Sequence, residues 1–377
     1  MVVAHTCPVG GVFNISEYLT MPWFALLLGC GLALAWRGAA RDPLTPGWWF
    51  GVTGTVRGVV FVLLGQALVP VHPQVLVVLQ TLGIGQIAVA WLVPLLGGRP
   101  RIAVAAATAI WLVSPLVIGA TVDRLREGLS EPVATALGWL AAGPDYRAIT
   151  MVVWMLVGVA VVDILDAPSR SSNSRSSNSR SSDSRSSESR ISADPVPASR
   201  SSTHRSGSGR LGLETAALVL ATAGLHVVGK ARLGESFFPY TGSLAETGHN
   251  ALLACAATWA CRWLLAAAES GTTRVGQLLT VVVTTLEPVR SLGRLALTAY
   301  VMQLVILAAI VRFVLRGGRD DHWWVMLLTI VVLTLGAFVW ERLGWVRPVE
   351  AIPRAGLGLV DGWRRRILRR DTPRSTA

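Results

Sequence analysis

The chain has 377 residues, 52% of them apolar and only 15% charged, whereas an ordinary soluble domain is about one-quarter charged. That deficit excludes a conventional soluble globule, because several stretches of about 18 or more residues carry almost no charge, as spanning helices require. The net charge of +12 would suit nucleic acid, but nearly all of the excess sits in two segments that flank apolar runs, which is a topology signal.

Taken in chain order, Met1 to Thr6 reads as the last turn or two of a first helix whose beginning is absent. Complete spans are predicted at Tyr18–Trp36, Trp48–Val69, Val75–Leu96, Ile102–Ala120, Ile149–Leu165, Leu211–Val228, Thr247–Ala268, Leu292–Leu315 and Trp323–Arg342. Runs as continuous as Val75 to Leu96 can satisfy their backbone groups in lipid only as helices, since a barrel strand would alternate. Val275 to Leu286 is apolar but about twelve residues long, too short to cross, and reads as interfacial or re-entrant. The expected fold is an all-α polytopic transmembrane helical bundle, about nine complete spans plus a truncated first helix.

The expected organisation is a five-span membrane half over residues 1–165, a linker over 166–210, a four-span half over 211–342 and a basic tail over 343–377. The linker repeats Arg170-Ser-Ser-Asn-Ser from Arg175, Arg180 and Arg185 with small changes, and offers nothing apolar to bury. It reads as a disordered tether, with a phosphorylated or RNA-binding Ser/Arg segment as the alternative. In the tail, Leu357, Val360, Trp363 and Ile367 recur at helical spacing beside Arg364, Arg365, Arg366, Arg369 and Arg370. That is either a short helix on an anionic leaflet or a disordered basic end.

Alternating the spans puts Arg37, Arg41, Arg99, Arg101, the linker, Arg274, Arg290 and the tail on one side. The excess of arginine makes that side cytoplasmic, in a plasma membrane. Lys230 is the only lysine, which suggests a bacterial, GC-rich origin. Cys7, Cys30, Cys255 and Cys261 have no metal-ligand spacing.

Few residues can carry chemistry. Arg57 sits inside a predicted span, where an arginine costs roughly 2.5–3.5 kcal/mol at the centre, so it either meets an anion in a wet cavity or snorkels to the interface. Gly54 and Gly58 beside it form a GxxxG pattern that permits close helix approach. Glu246 and His249, three apart, share a helix face; they are either a general-base pair or a cap at a helix start. His5 is either a polar cap or a base. No nucleotide-binding or metal motif accompanies them.

Three places resemble one family. Pro239-Tyr-Thr-Gly-Ser243 with Glu246 is similar to an external-loop motif of the YeiB-like membrane proteins, a domain of unknown function (418). Gly293-Arg-Leu-Ala-Leu-Thr-Ala-Tyr300-Val-Met-Gln303 resembles the start of one of their helices, and His5 with Trp23 to Gly29 resembles the end of their first helix and their second. Tyr240 stands where that family often has His. Relatives of the family include the heparan-α-glucosaminide N-acetyltransferase-like proteins. The resemblance implies a transmembrane acyltransferase that carries an acyl group from cytoplasmic acyl-CoA, a co-substrate rather than a bound cofactor, to an envelope sugar or glycan. It implies His5 as base with Glu246 supporting it, and Arg57, Arg294, Tyr240, Thr298, Tyr300 and Gln303 as substrate or anion contacts. The competing expectations are a transporter or exporter of a small envelope metabolite or lipid, and a structural membrane protein without a ligand. The expected partners are the bilayer and that acceptor, with no nucleic acid; the sequence does not fix an oligomeric state.

Overall fold

The computed structural model describes residues 15–42, 46–71, 78–142, 147–162, 205–237, 241–270, 274–318, 322–345 and 349–356, and among them there are helices but no strands. The remnant of a first helix, His5, Tyr240, the Arg/Ser repeats and the arginine cluster of the tail lie outside the described residues.

The helices are α1 (Ile15–Ala39), α2 (Gly47–Leu68), α3 (Leu79–Leu96), α4 (Pro100–Arg126), α5 (Glu131–Leu137, continued by a π turn over Gly138–Ala142) and α6 (Ala148–Val162). After the linker come α7 (Arg205–Leu233), α8 (Leu244–Ser270), α9 (Arg274–Thr285), α10 (Glu287–Arg294), α11 (Ala296–Ala309, continued by a π turn over Ile310–Val314), α12 (Trp323–Arg342) and α13 (residues 349–356). Eight helices, α1 to α4, α7, α8, α11 with its π turn, and α12, are long and apolar enough to cross a membrane, and α6 is a shorter apolar helix at the place of the fifth expected span, Ile149–Leu165. The protein is an all-helical, multi-pass integral membrane protein.

Lipid tails are as apolar as leucine, so helices in a bilayer associate by close backbone approach rather than by the hydrophobic effect. Two glycine seams do this here. A Cβ on Gly54 would lie 2.1 Å from that of Ala90, and one on Gly58 would lie 2.5 Å from the Gly83 carbonyl oxygen, so the GxxxG pattern of α2 is its contact face with α3. The second seam joins α1 to α6, with a Cβ on Gly29 reaching 1.9 Å from Met155 O and one on Gly158 reaching 2.0 Å from Leu26 O. Around these seams Met21, Ala25, Leu82, Val89, Met151, Met155 and Leu156 form the main core. A smaller core joins Leu68 and Leu79 to Leu297, Tyr300, Leu304, Leu307, Ile310 and Val325.

Side-chain contacts fix the direction of each helix. Arg147, just before α6, and Trp154 within it reach the carbonyls of Thr241 and Thr247, so α6 and α8 run parallel. Tyr18 and Trp23 meet His249 and Thr258, which aligns α1 with them; Trp36 meets Phe50, and Gly54 faces Ala90 while Gly65 faces Gln80, so α2 returns antiparallel and α3 runs with α1. The starts of α1, α3, α6 and α8 therefore share one end of the bundle, together with the end of α7. The Val78 N–H, at the start of α3, donates to the phenol of Tyr300 in α11 (3.4 Å), which ties the second half of the chain to the first.

The end where α1, α3, α6 and α8 begin is the near end, and α6 ends and α7 begins at the far end. Neither α9 (12 residues) nor α10 (8 residues) is long enough to cross alone, as expected for the short apolar stretch Val275 to Leu286. Arg294 of α10 meets Glu341 near the end of α12.

Candidate functional site

The near end holds a buried polar chain built on the first turns of α8. Ser243 caps that helix by accepting the Glu246 N–H at 3.1 Å, and Glu246 reaches back to accept the Gly242 N–H at 2.8 Å. This is a capping box set one residue early, and it fixes the carboxylate inside the bundle. Gly242 is required twice over: its φ of +68° is left-handed, and a Cβ would lie 1.8 Å from Arg147 Nη1. Arg147, from the loop before α6, holds the same turn by donating to Thr241 O at 2.5 Å. The segment Thr241 to Glu246 thus has the shape of a rigid cradle.

From Glu246 the chain of hydrogen bonds continues through side chains. Asn250 Nδ2 donates to Glu246 Oε1 at 2.7 Å, His249 Nδ1 lies 3.2 Å from Asn250 Oδ1, and His249 Nε2 lies 3.3 Å from His226 Nδ1. Glu246, His249 and Asn250 are 3%, 0% and 2% exposed, so water does not compete for these contacts. The polarity follows from the donor inventory. An ionised carboxylate only accepts, so Asn250 presents its NH2 to Glu246 and its oxygen to His249. His249 must then carry its proton on Nδ1, leaving Nε2 to accept from His226 Nδ1–H. In the neutral pair the basic lone pair is delivered to His226 Nε2, which no described residue hydrogen-bonds.

An aromatic wall holds both rings. Tyr18 meets His226 and His249 edge-on at centroid distances of 5.3 and 5.5 Å, and Phe237, fully buried, packs 5.0 Å from His249. The Tyr18 hydroxyl donates to Phe237 O at 3.2 Å, and Gly229 leaves the room that Phe237 occupies. The imidazoles can move protons but cannot swing.

A second polar cluster lies where α11 begins. Glu350 of α13 accepts the N–H groups of Leu297 (3.1 Å) and Thr298 (2.9 Å) and also the Thr298 hydroxyl, which caps α11 from outside its own sequence. Tyr300 and Gln303 are buried one and two turns further in, and the Gln303 Nε2 has no partner among the described residues. Arg294 is held at 2.9 Å by Glu341 and at 3.5 Å by Glu287, beside a cavity of about 290 Å³ lined by those residues with Ser291, Phe338 and Arg342. Hydrogen bonding to Glu341, with its charge and that of Glu287, raises the Arg294 pKa above its ordinary value.

The sequence-predicted residues are therefore divided. Glu246 caps α8 and also joins the buried hydrogen-bond chain, which reaches His249 through Asn250. Thr298, Tyr300 and Gln303 gather near Arg294 at the start of α11, whereas half-buried Arg57 stands on α2 without a hydrogen bond or ion pair to any described residue. Reasoning from spacing missed His226, Asn250, Arg147 and Glu350. The signal for Asn250 was present, since Glu246 and Asn250 are one helical turn apart, but His226 and Arg147 come from other helices. No group of three or more His, Cys, Asp or Glu side chains suited to a metal occurs among the described residues. No protein-family profile, curated protein or solved structure matches this chain.

Proposed function

We propose that this membrane protein is an acyltransferase in which the Glu246–Asn250–His249–His226 chain supplies the base that activates the acceptor. The observation that carries this reading is the polarity of the relay, which leaves a lone pair on His226 Nε2 while a buried carboxylate stands at the other end. The resemblance of the Pro239 to Glu246 segment to the YeiB-like loop supports it, because Thr241 to Glu246 of that segment build the cradle that holds the carboxylate. The linker would lie in the cytoplasm and the relay at the opposite face of a plasma membrane, so the thioester end of cytoplasmic acyl-CoA would have to reach His226 through the bundle.

In the step proposed, His226 Nε2 takes the proton of an acceptor hydroxyl or amine on an envelope sugar or glycan as that atom attacks the thioester carbonyl of acyl-CoA. The C–S bond breaks, the acyl group stays on the acceptor, and the CoA thiolate leaves with the proton that His226 gives up. A positioned base contributes about 10²–10⁴-fold in rate. Release of CoA thiol from acetyl-CoA, measured on the purified protein with candidate acceptors, should fall by about that factor in His226→Ala and His249→Ala. Wild-type rates in both variants, with intact monodisperse protein, would remove the relay from the mechanism.

One observation favours a second reading: the paired histidines lie inside predicted spans, as in proton-coupled transport. Substrate flux in proteoliposomes without acyl-CoA would support a transporter instead.

A further inference from the structure

The relay fixes the base but not the route by which an acceptor reaches it, and the surroundings of His226 bear on that. α7 lies at the periphery of the bundle, with only 6% of its apolar window buried. It packs on α8 and on the short turn that contains Phe237. Along it Leu220, Val227 and Val228 are 72%, 67% and 57% exposed, which is a lipid-facing surface. His226 stands on the rim of that surface. Thr222 and Gly229 on one side of it are buried, while Ala223, Val227 and Lys230 on the other are exposed.

Lys230 is one turn beyond His226, so the two side chains share a face, and they lie within electrostatic reach of each other. It is three residues from the end of α7, at the depth where a long cationic side chain meets the headgroup layer. Ala223, one turn before His226 on the same side as Lys230, is small and exposed, so the approach beside His226 is open. An apolar flank, a phosphate-seeking ammonium and a base one turn apart on one helix describe a site entered from the bilayer.

We infer that the acceptor is carried by an anionic membrane lipid that approaches α7 laterally, its phosphate against Lys230 and its hydroxyl or amine at His226. This rests on the acyltransferase reading for the transfer, but the lipid contact at Lys230 can be measured without it. The lipid would be a glycerophospholipid or glycolipid with a phosphate and a free nucleophile within one helical turn of each other.

The full-length protein in nanodiscs provides the test, with phosphatidylcholine alone, phosphatidylcholine containing phosphatidylglycerol, and phosphatidylcholine with soluble glycerol 3-phosphate as the three arms. Phosphatidylglycerol that stays with the protein after extraction is counted by mass spectrometry, and label from [14C]acetyl-CoA is followed into the lipid fraction. We expect retention of phosphatidylglycerol, about fivefold weaker in Lys230→Ala and preserved in Lys230→Arg. Acetyl label should enter the lipid fraction only in the second arm. Equal retention in wild type and Lys230→Ala overturns the lipid contact, and label on glycerol 3-phosphate but not on lipid overturns the lipid-borne acceptor. Lysine-dependent retention with no thiol released in any arm sinks the acyltransferase reading and leaves the lipid contact standing. Thiol release with a soluble sugar, and no lysine-dependent retention, does the reverse.

Discussion

Two glycines in α1, two residues apart, should respond to the same substitution with opposite sign. Replacing a helical glycine by alanine gains about 1 kcal/mol from backbone entropy wherever the added methyl has room. At Gly31 nothing lies within 4 Å of the new Cβ, so Gly31→Ala should stabilise the protein by up to that amount. At Gly29 the same Cβ would sit 1.9 Å from the Met155 carbonyl oxygen, with the Met155 C and Cα at 2.7 and 2.8 Å. All of these are backbone atoms, so no rotamer change can relieve the overlap. Restoring a contact of about 3.4 Å means moving α1 from α6 by roughly 1.5 Å. Overpacking of this kind costs about 1–3 kcal/mol even where side chains can adjust, and here it opens the seam that also holds the thiol of Cys30 on Gly158 O at 3.3 Å. Gly29→Ala should come out destabilised by about 1–2 kcal/mol net, after its own propensity gain. Reversible unfolding in mixed micelles, with tryptophan fluorescence as readout, compares the two variants directly. If Gly29→Ala is as stable as Gly31→Ala, α1 and α6 do not meet as described.

Two further outcomes follow from the second half of the chain. Glu350→Ala removes the carboxylate that caps α11 and should cost about 1–2 kcal/mol in the same unfolding assay; in a Thr298→Val background the loss should shrink, and full additivity would mean that the two side chains do not interact. Impermeant thiol labelling of single cysteines placed in the linker and after α12, in intact vesicles, should modify both sites from the same side, as the arginine pattern predicts. Labelling from opposite sides would show that α9 and α10 together make a further crossing.

The sequence alone determined that this is a membrane bundle, where its helices lie and that α2 carries a packing face, because these depend on local quantities. Length and apolarity decide whether a segment can satisfy its backbone in lipid, and i,i+4 spacing decides which glycines share a face. By the same logic Glu246 and His249 were legible as neighbours on one turn. What the tertiary structure decided is which helices stand side by side. His226 becomes the end of the relay only because α7 brings it 23 residues back along the chain to His249. Glu350 becomes a cap only because α13 folds back onto α11. Arginine counting gives the average preference of loops for one side, whereas a contact such as that of Tyr300 with Val78, 222 residues away, exists only once the two halves have packed together.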